Sequence, residues 1–206
     1  MALDDAGIAE AAEARPETPI PDDSLLPLLQ AEFALRHRDF DQGLALLSEQ
    51  AVLLDDPALA RRALRLAEFV NDTDRAAMMA VRLVELDSDD GAAAAAASGW
   101  LSRAGRPVDA VYYAKLAFEH GHPVNVATNL GTYDALDEGS QLAIAEAIRA
   151  IAAQWPEDDQ AAIAASLLAR LEGDFKRAES FIVPVLERSP EDIRAVMLWT
   201  QLMLDQ

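Results

Sequence analysis

From residue 24 onward the chain alternates apolar runs of helical spacing with short polar breaks. Apolar residues recur at steps of three and four, and Ala, Leu, Arg and Glu dominate while β-branched and aromatic residues are thin, so the pattern predicts helices and no strands. The predicted helices cover 24–36, 40–53, 57–70, 73–86, 90–103, 107–120, 123–136, 139–154, 159–171, 175–188 and 191–204. That is five helix hairpins and one closing helix.

The pattern also repeats. The pieces HRDFDQGLALL (37–47), NDTDRAAMMAV (71–81), AGRPVDAVYYA (104–114) and EGDFKRAESFI (172–182) each join a polar turn to the start of an amphipathic helix. A small residue sits early in each helix, and with DEGSQLAIAEA (137–147) the series is Gly43, Ala76, Ala110, Ala143 and Ala178, spaced by 33, 34, 33 and 35. Twelve residues upstream stand Ala31, Leu64, Ser98, Gly131 and Ser166, four of them small. Small residues at these two places let neighbouring helices cross closely, where a large side chain would force them apart.

Breakers recur where each second helix must end: Asp55-Asp56-Pro57, Asp87-Ser88-Asp89-Asp90, Gly121-His122-Pro123, Trp155-Pro156 and Ser189-Pro190. Ser189 is predicted to cap the last helix, with Pro190 in its first turn and Glu191 and Asp192 facing the positive end of the dipole. The pairs Asp55-Asp56 and Asp158-Asp159 read as caps in the same way.

The repeats resemble the tetratricopeptide repeat (TPR) family over about residues 24 to 206. The resemblance is carried by AAIAASLLARLEGDFKRAESFIVPVLERSPED (161–192) and by VATNLG (126–131), whose Leu130-Gly131 is similar to the family's Leu-Gly pair. The bulky aromatic that opens a family unit is replaced by Pro27, Ala60, Ala94, Ala127 and Ala162, and Leu64 stands where a small residue is usual. The resemblance implies an all-α superhelix with units at about 24–56, 57–89, 90–122, 123–156 and 159–190, whose first helices line a concave face. LLQAEFALRHRDF and PALARRALRLAEFVND further resemble bacterial envelope lipoproteins built of such repeats, some of which present substrates to a carboxy-terminal processing protease. That implies an envelope protease or its substrates as partner, and a periplasmic or outer-membrane-tethered location, with the cytoplasm as the alternative.

Charge narrows the function. There are 36 acidic and 17 basic residues, a formal net charge of -19, so the surface repels nucleic acid and anionic membranes. Residues 1–23 carry seven acids, one arginine and three prolines and read as an acidic arm or linker, with a short helix possible over 2–14. With no cysteine there is no thiolate chemistry and no lipid-bearing cysteine. No apolar run reaches the roughly 18 residues that a membrane helix needs.

Catalytic patterns are missing too. His37, His120 and His122 lie at helix ends, where capping by a basic residue is the common use, and no metal or other cofactor is expected. The expectation is a non-enzymatic adaptor or scaffold that binds a protein or peptide. The alanine run Ala92–Ala97 predicts a thin helix, which either packs closely or leaves a depression, with Trp100 at its edge, where a partner can sit.

On the predicted concave face the candidate contacts are Arg61, Arg65, Glu68, Ser102, Arg103, Asn125, Thr128, Asn129, Thr132 and Arg170. Arginine there suits a carboxylate or an acidic helix. The alternative is self-association, as a homodimer, through the apolar closing helix with Met197, Trp199, Leu202 and Met203; its apolar surface also fits a piece of a longer array.

Overall fold

The computed structural model describes residues 20–205. Ten α-helices follow one another: α1 (Asp22–Arg36), α2 (Phe40–Leu53), α3 (Pro57–Val70), α4 (Thr73–Leu86), α5 (Gly91–Arg103), α6 (Pro107–Glu119), α7 (Glu138–Gln154), α8 (Asp159–Leu171), α9 (Phe175–Arg188) and α10 (Ile193–Leu204). Each packs on its neighbour in sequence, so the core runs along a stack of helix hairpins, interrupted in the fourth unit. No described helix is long and apolar enough to cross a membrane. The arm at residues 1–19 and its possible helix over 2–14 lie outside the described residues.

The crossings are built as the small residues predict. Ala31, Ala76, Ala110, Ser166 and Ala178 are fully buried, Gly43 is buried, and Ser98 is 4% exposed. At the fifth unit the Ser166 hydroxyl donates directly to the Ala178 carbonyl across 2.8 Å, so a side chain of α8 reaches the backbone of α9. A Cβ on Gly43 would come within 2.6 Å of the Leu35 side chain.

Hairpin turns repeat a shared device. Arg38, Asn71, Gly105 and Gly173 adopt left-handed backbone at φ 61°, 59°, 73° and 78°. The next residue's N–H then returns to the helix it has left: Asp39 to Ala34, Asp72 to Ala67, Arg106 to Leu101 and Asp174 to Ala169, all at 2.9 Å. In three of these turns that same next residue is an aspartate whose carboxylate accepts from the first turn of the following helix.

Capping by aspartate is general. Asp39, Asp56, Asp72, Asp90, Asp137, Asp158, Asp174 and Asp192 cap eight of the ten helices. Much of the acid therefore has a local task, because the first N–H groups of a helix lack partners and the dipole favours a negative charge there. Two expected caps fall elsewhere. Asp55 pairs with Arg82 at 2.6 Å, leaving Asp56 to cap α3. Ser189 does not cap the last helix: its hydroxyl donates to Asp159 at 2.8 Å, and Asp192, with two oxygens to offer, starts α10 two residues later than expected.

The fourth unit is the main correction. Its predicted helix at 123–136 is instead two 3-10 segments, Val126–Leu130 and Tyr133–Ala135. The stretch is rich in Val, Thr, Asn and Gly, which lose entropy in a helix or offer the backbone competing bonds. Thr128 shows the competition, its hydroxyl donating to the Asn125 carbonyl at 2.8 Å. Val126, Leu130 and Tyr133 still fill the space between α6, α7 and α8. Here the small-residue pair is not a buried crossing: Gly131 is exposed and Ala143 only half-buried.

Three substitutions test this account by thermal or denaturant unfolding. Ala178→Leu overpacks a closed crossing and is expected to cost about 2 kcal/mol or more, whereas Ala143→Leu changes stability by less than about 1 kcal/mol. Arg38→Gly relieves a left-handed arginine and is expected to stabilise by roughly 0.5 to 1 kcal/mol.

Candidate functional site

The first helices of units one to three are stitched by polar pairs about one repeat apart. Glu32 of α1 pairs with Arg62 of α3. Glu68 of α3 accepts from the Trp100 indole N–H of α5 at 3.1 Å. Arg61 of α3 reaches Asp90, the N-cap of α5, at 2.7 Å. The Arg62 hydrogen bond, first among its influences, holds the Glu32 carboxyl below its usual range.

Between α3 and α5 lies a depression of about 190 Å³. Leu64, Leu83 and Ala93 form its buried floor, Ala92 and Ala96 one wall, and Arg61 and Arg65 the other. Its cause is the alanine run: a single methyl group on each of residues 92–97 leaves the space that larger side chains would fill. Asp90 closes one end. Burial pushes the Asp90 carboxyl up, but the hydrogen bonds from the Ala93 N–H and from Arg61 together outweigh it and hold the carboxyl below its ordinary value. Arg65 is exposed and makes no ion pair among the described residues.

The other expected contacts are dispersed. Arg103 does not line the depression; its guanidinium carbon sits 4.6 Å from the centre of the Trp100 ring, a cation–π contact. Ser102 is half-buried. Asn125, Thr128 and Thr132 are exposed, but on or beside the 3-10 segments rather than on a helix. Asn129 is not a surface residue: it is 1% exposed and neither amide atom has a hydrogen-bond partner, because the 3-10 turn points it inward. Arg170 is engaged with Asp205 at 2.7 Å.

Sequence reasoning missed Arg62 and Asp90, which build this face. Arg62 is adjacent to Arg61 and differs from it only by 100° of helical phase; Asp90 reads from sequence as a breaker. On the closing helix, Met197 and Met203 are exposed and Trp199 is half-buried, but Leu202 is fully buried and unavailable to a partner. At the helix ends, the His37 ring nitrogen lies 2.8 Å from the Phe33 carbonyl, and His120 and His122 pack over Gly91, where a Cβ would meet them at 2.8 and 2.5 Å.

A second depression, of about 260 Å³, lies among α7, α8 and α9, floored by alanines and Leu168, with Arg149 at its edge paired to Glu172.

Hairpins of near-34-residue period, closed at small-residue crossings, make the chain's architecture plain. The fold is a TPR-like helical-repeat array. PilW, a widely conserved type IV pilus biogenesis factor, superposes at TM-score 0.50 and 12% identity, over 90% of this chain and 87% of that one. YrrB, a TPR protein with an unusual peptide-binding site, gives TM-score 0.49 and 14% identity over 86% and 92%. MamA RS-1, as a double mutant, gives 0.46 and 17% over 84% and 99%. No protein-family model matches the TPR-like chain, and no curated protein does.

Asp90 offers a pH test. Its folded value lies below the unfolded one, so its contribution is present above the ordinary carboxylate range and lost as pH falls through the folded value. The stability gap between the wild type and Asp90→Ala is expected to be about 1 kcal/mol at neutral pH and to shrink below about pH 4, measured by urea unfolding.

Proposed function

We propose that the TPR-like chain is a non-enzymatic interaction module, and that the face of α3 and α5 binds a segment of a partner protein. One observation carries the reading: a depression with an alkyl floor and an arginine wall on a chain with a net charge of -19. Its size suits one small apolar side chain, and its wall suits a carboxylate beside it. Arg65 is the group expected to meet that carboxylate. Arg61 is already shared with Asp90, so an incoming acid competes for it.

The arrangement favours specificity over strength. An exposed arginine contributes little alone and is screened by salt, while an apolar side chain seated on Leu64, Leu83 and Ala93 leaves water. The surrounding acid repels segments of high negative charge, so the fitting segment carries one or two carboxylates rather than an acidic tract. The envelope location implied by the lipoprotein resemblance belongs to this reading, because the partner's compartment fixes where the module works.

Affinity capture with the wild type, Arg65→Glu and Ala92→Phe checks it, with the captured protein identified and its affinity measured. Both variants are expected to weaken binding by about 10-fold or more, near 1.4 kcal/mol, with unchanged helicity. Equal binding to all three chains would refute the groove.

A further inference from the structure

The last helix is apolar on two sides. Ala195, Leu198 and Leu202 are buried within the array. On the remaining surface Ile193, Val196, Met197, Met203 and Leu204 are exposed by 72, 43, 57, 44 and 81%, with Thr200 between them. Positions 193, 196, 197, 200, 203 and 204 follow the three-and-four step of a single helical stripe. None of these residues is ionisable. The neighbouring charges are committed elsewhere, Arg194 to Asp192 and Gln160, and Asp205 to Arg170.

We infer that this stripe is the interface of a homodimer, in which α10 packs antiparallel against α10 of a second copy. The pattern is self-complementary. An antiparallel pair centred on Thr200 sets Val196 opposite Leu204 of the other copy and Met197 opposite Met203, each contact occurring twice, as a closed two-fold interface requires. Thr200 is the small residue at the centre, where two helix axes must come within about 8 to 10 Å.

Electrostatics selects this face over the other apolar one. Leu25, Leu26, Leu29 and Phe33 of α1 are exposed by 49, 62, 58 and 65%. That helix begins with Asp22 and Asp23, and the sequence before it carries Asp4, Asp5, Glu10, Glu13 and Glu17. Bringing two α1 helices together concentrates those acids, whereas two α10 stripes bring none between them. The dimer does not depend on the groove reading, since α3 and α5 take no part in it.

Sedimentation and light scattering of the full chain over roughly 1 to 100 μM are expected to show mass rising from 22.3 kDa to twice that value. Met197→Glu is expected to weaken association by about 30-fold or more with an unchanged helical spectrum. In this cysteine-free chain, Thr200→Cys is expected to form an intermolecular disulfide on mild oxidation, while Glu49→Cys on exposed α2 does not. A monomer at every concentration overturns the proposal, as does equal crosslinking at both positions. Growth beyond two copies also overturns it and points to α10 meeting α1 head to tail.

Discussion

Everything in this fold depends on how closely one helix can approach the next. At Ala31, Ala76, Ala110, Ser166 and Ala178 the side chain is reduced to a methyl group or a hydroxyl and is fully buried, and the Ser166–Ala178 hydrogen bond shows one helix reaching the backbone of another. That approach sets the interhelical spacing and lets mid-sized residues such as Leu44, Leu47, Met79 and Leu101 fill the remaining space. A solenoid built this way has only neighbour contacts, so its stability is close to a sum over units and their interfaces. The same economy of side chains, carried to six consecutive alanines in α5, leaves the depression beside Arg61 and Arg65.

The acidity takes a different meaning once the caps are seen. Eight aspartates each satisfy N–H groups at a helix start, and several are held in place by an arginine as well: Asp72 by Arg75, Asp90 by Arg61 and Asp192 by Arg194. Arginine on this chain is mostly a partner for acid one repeat away or one turn away. This makes Arg65, which has no such partner among the described residues, the informative cation on the face of α3.

Helix boundaries were legible from sequence because they are set locally. Left-handed turn residues, aspartates and small residues recur with the repeat, and the observed ends fall within two residues of those expected for every helix but one. The exception, at 123–136, kept the length and the Leu130-Gly131 pair of a repeat while losing the helix formers, and a pattern matched on landmarks alone does not register that loss. The site was less legible. Arg61 and Arg65, one helical turn apart, line the same depression as their period of four implies, but Arg62 is not singled out by the pattern, Arg103 stands apart on Trp100 and Asn129 is buried. Arg62 takes its surroundings from Glu32, 30 residues away, Asn129 from the 3-10 turn, and Arg103 from the side-chain conformation that lays it on Trp100, and none of these is encoded in the repeat spacing.

The irregular fourth unit also orders what the rest can do. Its Asn129 is buried with neither amide atom hydrogen-bonded to another protein group, at the junction between the first three units and the last. The depression on α3 and α5 lies on one side of that junction, and the apolar stripe of α10 lies on the other. In an array with neighbour-only coupling, a change at one of these surfaces is felt at the other only through the interfaces between, the weakest of which governs. Partner capture and self-pairing can therefore be altered separately, which a single compact core would not allow.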